Sequence, residues 1–242
     1  MCTVILLRRP GRPWPLLIAA NRDERVDRAW DPPGWHWPHA FGGRDATAGG
    51  TWMAMNRAGV VAAVLNRPGS LGPEPGKRSR GELPLLLSEA DTARSAVARL
   101  HSLDAGDWRP FNLVIADGTD GFFAAGFGAG AALTEPLEDG ISMVTAHPPN
   151  DLGSPRTARH LPRFRAAPAP EPDRGDWGRW EALLADSGGS TAEALNVPPL
   201  GGFGTVCSSL IGLAADGRRA WRFAPGPPDR TPFRELDWDR VA

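Results

Sequence analysis

The chain has two cysteines, no tyrosine and a single lysine, Lys77, in 242 residues. Two cysteines so far apart make no disulfide framework and fit a reducing compartment better than an oxidising one. No stretch approaches the ~18–20 consecutive apolar residues of a membrane span. The run Val4–Leu7 is too short for a secretory core, and Arg8 and Arg9 follow it where a leader would have them in front. With 27 basic against 28 acidic residues, nothing in the charge points to nucleic acid or another polyanion as partner. A soluble cytoplasmic protein is the expectation. Internal repeats and a domain linker are also missing, so one domain over residues 1–242 is expected, with enough chain for a substantial core.

What is present alternates between short apolar runs and turn residues. "CTVILL" and "PLLIAA" flank a Pro-Gly turn and read as a hairpin. "TWMAMN" with "GVVAAVLN", and "FNLVIAD" with "FFAAGF", repeat that pattern. "ISMVTA", "VCSSLIGLA" and "RAWRFA" are further strand candidates. Helical spacing occurs in "GELPLLLSEA", in "DTARSAVARL" with Asp91 as its N-cap, and in "DWGRWEALLADS". "SPRTARHLPRF" has Ser154 followed by Pro155 at the favoured first helical position. The stretches 25–40 and 166–175, rich in Pro, Trp and Asp, read as loops. Antiparallel pairs with helices grouped between them predict an α+β fold, with helices packed on mainly antiparallel sheets.

Cys2 holds a scarce thiol at the head of the first strand. It reads either as a small apolar strand residue or, once Met1 is removed, as a thiol and a free α-amine on one residue, which is a catalytic unit. In "IAANRDER" the apolar run stops at Ala20, and the hairpin would bring Asn21, Arg22, Asp23 and Glu24 back toward Cys2. There a guanidinium would lower the thiol pKa from about 8.5. Asn66, before a Pro-Gly turn in "LNRPG", either opens that turn or donates to an oxyanion. "GFGAGA" at 126–131 lacks dinucleotide-loop spacing, and His36 and His39 in "WHWPH" lack the further ligands of a metal site. Neither a metal nor a resident cofactor is expected. His101, His147 and His160 stand alone in the sequence, with His160 expected on a helix surface.

Taken together, "MC", "LLIAANRDE", "GGTWMAMNRAGVVAAVLN" and "SRGEL", in that order, resemble the NRDE family, also called the transport-and-Golgi-organisation protein 2 family. The resemblance is dense over about the first ninety residues and implies an N-terminal nucleophile hydrolase fold, a four-layer αββα sandwich with two mainly antiparallel sheets. By similarity to choloylglycine hydrolases and penicillin V acylases, Cys2 is the implied nucleophile, Arg22 and Asp23 its partners and Asn66 the oxyanion donor. Asn21, Glu24, Trp52 and His147 are implied substrate contacts. Two departures stand out. "VTAHPPN" puts His147 where a second Asn is expected and displaces Asn150, and Val206 fills the place of a late arginine near the "GTxxSS" segment.

Two functions follow from the resemblance. One is an N-terminal-cysteine amidohydrolase acting on a small molecule. The other is a non-catalytic carrier of haem or an acyl ligand, with Cys2, His36, His39 or His147 as axial ligand to haem. Neither reading specifies an oligomeric state.

Overall fold

The computed structural model describes residues 2–238; the expected removal of Met1 concerns a residue outside that range. Strands β1 (Thr3–Arg8), β2 (Leu16–Arg25), β3 (Trp30–Trp37), β4 (Ala40–Asp45), β5 (Met53–Met55) and β6 (Val61–Asn66) come first. Helices α1 (Glu82–Leu87) and α2 (Ala93–His101) follow, then β7 (Phe111–Ala116), β8 (Gly121–Gly126), β9 (Leu133–Pro136) and β10 (Gly140–Val144). The chain continues through α3 (Pro155–Ala166), α4 (Arg179–Leu184), β11 (Phe203–Leu213), β12 (Arg219–Ala224) and β13 (Arg234–Glu235).

These elements fall into two compact units. The first is a six-stranded antiparallel sheet in the order β10-β1-β2-β11-β12-β13. Its helix-facing side chains, Ile5, Leu17, Ala19 and Leu210, form one core with Leu161 and Phe164 of α3 and Trp180, Leu183 and Leu184 of α4. The second is a seven-stranded antiparallel sheet in the order β3-β4-β5-β6-β7-β8-β9. There Ala62, Leu113, Ile115 and Ala124 pack on Leu83 and Leu87 of α1 and on Ala96, Val97 and Leu100 of α2. The α+β class is as expected, and so are the three hairpins β1–β2, β5–β6 and β7–β8.

Some expectations need correction. The stretch 25–40 holds the edge strand β3, prolines included. Pro32 and Pro33 are tolerated because an edge strand has ladder positions that need no N–H donor, and the pairing with β4 is irregular there. The N-cap of α2 is Thr92 and not Asp91: Thr92 Oγ1 accepts from Ser95 N, and Ser95 Oγ accepts from Thr92 N, each at 3.0 Å. That reciprocal capping box satisfies donors at both positions. "GGTW" and "SRGEL" meet through their backbones, with Thr51 N donating to Gly81 O at 2.9 Å. A Cβ on Gly50 would lie 2.5 Å from the Gly81 carbonyl carbon, so this approach admits only glycine.

Candidate active site

In the first unit β2 does not end at Ala20. It carries Asn21, Arg22 and Asp23 inside the sheet, where all three are buried. Alternation along the strand sends Asn21 and Asp23 to the helix face and Arg22 to the other. Asn21 donates to Leu184 O at 2.9 Å and Leu195 O at 3.0 Å, and accepts from Ser208 Oγ at 2.6 Å. Its amide ties β2 to α4, to the segment after that helix and to β11. Glu24 lies at the margin, its carboxylate accepting from Arg25 N at 2.8 Å and standing 3.9 Å from Arg22 Nη2.

The Asp23 carboxylate has no side-chain exposure. Oδ1 accepts from Thr205 Oγ1 at 2.6 Å and Oδ2 from Arg156 Nη1 at 2.9 Å; the same Nη1 donates to Thr3 Oγ1 at 3.1 Å. Arg156 is the functional candidate missed in the sequence. Ser154 caps α3 and Pro155 follows, so Arg156 sits in the first turn, where the helix dipole disfavours a cation. An arginine in that position without an acidic neighbour in sequence was the available signal. Val206, standing where a late arginine is expected, is the extra residue of a bulge: Thr205 pairs with Asp23 and Cys207 with Arg22. The bulge lets Thr205 face Asp23 while Cys207 faces the side of Arg22.

Thr3 pairs with Asn21, so the next step in register places Cys2 opposite Arg22. Cys2 is partly exposed, and its Sγ lies 3.6 Å from the Asp23 carbonyl oxygen, a weak S–H donor contact. Burial pushes its thiol pKa up and the Asp23 charge adds to the rise; the Arg22 guanidinium acts the other way and does not prevail. The expected thiol acidification is therefore corrected, because desolvation of the thiolate outweighs the neighbouring cation. Cys207, buried in β11, is pushed up to about 12, mainly by burial.

His160, expected on a helix surface, is fully buried. Its Nε2–H donates to Glu193 O at 2.9 Å, which leaves Nδ1 to accept from Arg163 Nη1 at 3.2 Å. Burial lowers its pKa to about 4, with Arg163 and Arg159 acting in the same direction and Asp186 and the Glu193 carbonyl opposing. The folded pKa lies below the unfolded one, so this contribution is complete above about pH 6.5 and fades as pH falls through about 4. Urea unfolding is expected to lose on the order of 2–3 kcal/mol through this residue between those limits. In His160→Gln, which keeps a donor for Glu193 O, that part of the pH slope disappears.

The remaining candidates belong to the second unit. Asn66 is the half-buried last residue of β6, and its side-chain amide makes no hydrogen bond among the described residues. Trp52 packs edge-on against Trp30 at 5.9 Å, and a Cβ on Gly43 would meet its ring at 2.2 Å. His147 offers its carbonyl to Asn112 Nδ2 at 3.1 Å. Among the possible haem ligands, His36 Nε2 is 2.8 Å from Pro32 O and His39 Nε2 is 3.8 Å from Glu89 Oε1. Asn150, in the first unit, adopts φ 59° and closes the end of β10, its Oδ1 accepting from Met143 N at 2.9 Å. Among the described residues no three His, Cys, Asp or Glu cluster to hold a metal ion, and no helix is long and apolar enough to cross a membrane.

Comparison with solved structures identifies the fold. A Caenorhabditis elegans N-acylethanolamine-hydrolyzing acid amidase ortholog is similar over 98% of this chain and 100% of its own, at 13% identity and a TM-score of 0.58. A mutant conjugated bile acid hydrolase from Clostridium perfringens matches over 100% of this chain and 98% of its own, at 10% identity and a TM-score of 0.51. A second variant of that hydrolase gives 12% identity and 0.53, over 99% of this chain and 98% of its own. The architecture is the N-terminal nucleophile hydrolase fold, as the α+β sandwich expectation had it. No individual curated protein matches the sequence. The sequence profile of Transport and Golgi organisation 2 matches residues 1–141, more than half of the chain, and the protein belongs to that family.

Proposed function

We propose that the chain, acting as a single domain over residues 1–242 in the cytoplasm, hydrolyses an amide C–N bond of a small molecule through Cys2 after Met1 is removed. The observation that carries this reading is the position of Cys2. Cys2, partly exposed as a residue, stands at the head of β1, an interior strand, with its sulfur buried beside the Asp23–Arg156–Thr205 network. Burial keeps the sulfur protonated at rest, so it becomes nucleophilic only as its proton leaves. The freed α-amine takes that proton. The Asp23 charge, which disfavours an isolated thiolate, favours the adjacent ammonium, and the two form together. The thiolate attacks the amide carbonyl carbon, and the ammonium returns the proton to the departing nitrogen as the C–N bond breaks. Water then opens the thioester, releasing the acid and restoring the thiol. The oxyanion role of Asn66 rests on the family resemblance alone.

Intact mass and alkylation test this reading. The purified protein is expected to lack Met1 and to take one iodoacetamide adduct, at Cys2, with a rate still rising above about pH 8.5. Cys207 is expected to stay unmodified while the chain is folded. A panel of N-acyl aminocoumarins of differing acyl length then reports turnover and acyl preference. A retained methionine would sink the mechanism.

A further inference from the structure

In the second unit the residue after Asn66 has no role in the proposed hydrolysis. Arg67 opens the turn Arg67–Ser70, with Pro68 and then Gly69 at φ +73°, the residue choice of a type II turn. Ser70 locks that turn: its Oγ donates to Arg67 O at 2.8 Å and accepts from Arg67 N at 3.1 Å. Arg80 donates to Ser70 O at 2.6 Å, and Arg109 Nη2 to Gly69 O at 3.0 Å, so the turn is clamped from two sides. Arg67 itself is half-buried. Its Nη1 donates to Asn112 Oδ1 at 2.5 Å, and its guanidinium carbon sits 4.6 Å from the Phe127 ring centroid. The direction of the Asn112 amide follows from its other end, which donates to the His147 carbonyl.

Among the described residues no carboxylate pairs with Arg67, although burial pulls its pKa below the ordinary arginine value. Desolvating a guanidinium without a counter-charge is costly. Nη1 is occupied, while the Nε–Nη2 edge makes no hydrogen bond to a described residue. That edge is the fork that meets a planar carboxylate with two parallel bonds. The Phe127 ring, 57% exposed, continues the site as apolar surface.

We propose that Arg67, oriented by Asn112 and stacked on Phe127, binds the carboxylate of a small ligand whose apolar body lies on the Phe127 ring. A monoanion fits better than a phosphate. The neighbouring cations Arg80 and Arg109 are directed at backbone carbonyls, and Arg109 also lies 3.3 Å from Glu74, leaving one guanidinium for the ligand. The proposal stands independently of the hydrolase reading.

Titration of the full chain with phenylacetate, followed by NMR line shape, tests it. Saturable binding in the millimolar range is expected, with phenylacetamide and inorganic phosphate about tenfold weaker or more. Arg67→Gln is expected to weaken phenylacetate at least about tenfold, and Arg67→Lys to recover part of that loss. Phe127→Ala, at an exposed position, is expected to weaken phenylacetate by a larger factor than acetate, which has no apolar body to lose the ring's contact. Equal binding of phenylacetate and phenylacetamide, no saturation, tighter binding of phosphate, or full affinity in Arg67→Gln would each overturn it. If Arg67→Gln does not fold, the ligand comparison and the Phe127→Ala arm still decide.

Discussion

Arg156→Met is expected to lower the free energy of unfolding by about 3–5 kcal/mol, because it leaves the Asp23 carboxylate buried without its Arg156 partner. Methionine keeps the length and apolar stem, so the loss reports charge and hydrogen bonding more than packing. The arginine also stands in the first turn of α3, where its own charge is disfavoured by about 0.3–1 kcal/mol, so the helix gains slightly from the substitution. The loss comes from the carboxylate left behind and does not require the intact pair to outweigh the desolvation of both ions. Asp23→Asn in the same background is expected to restore part of the loss, since an amide facing Thr205 is less costly to bury than a carboxylate that has lost its Arg156 partner. Urea midpoints of the two single variants and the double variant measure the coupling. For a chain of this length the single change corresponds to a melting temperature lower by roughly 10 °C. Near-zero coupling would show that the buried contact is incidental to the fold.

Hairpins were legible because their turns are chemical: Pro10-Gly11 and Asp117–Gly121 can be read without knowing the rest of the chain. Strand β3 was not, because proline signals a loop wherever edge position is unknown, and edge position is a property of the finished sheet. The same limit hid the interior course of β2. A polar run reads as a strand end, whereas here Asn21 and Asp23 are satisfied by Leu184, Leu195, Thr205, Ser208 and Arg156, all far along the chain. His160 fails to read for a related reason. Its partner is the Glu193 carbonyl, and a backbone atom leaves no mark in the sequence. Cys2 and its neighbours on β2 could be read in advance because one hairpin register brings them together. Arg156 could not, since nothing local predicts which carboxylate a first-turn arginine on α3 reaches.

Cys2→Ala is expected to reduce turnover of any substrate found by at least about 10³-fold, since it removes the proposed nucleophile. Loss of activity alone does not establish how the sulfur is activated, and Asp23→Asn does. Burial raises the Cys2 thiol pKa and the Asp23 charge adds to it, so neutralising that charge moves the alkylation profile to lower pH. If a ready thiolate limited the reaction, Asp23→Asn would then be faster near neutral pH. The proposed chemistry requires the reverse. The carboxylate favours the ammonium formed as the thiol ionises, so its loss slows acylation even as the thiol becomes easier to alkylate. The two measurements must part in opposite directions, under conditions where the destabilised variant remains folded. A variant faster in both would assign Asp23 to the frame and leave Cys2 as an ordinary thiolate nucleophile. Faster alkylation with slower turnover would place the α-amine, and with it the removal of Met1, at the centre of the mechanism.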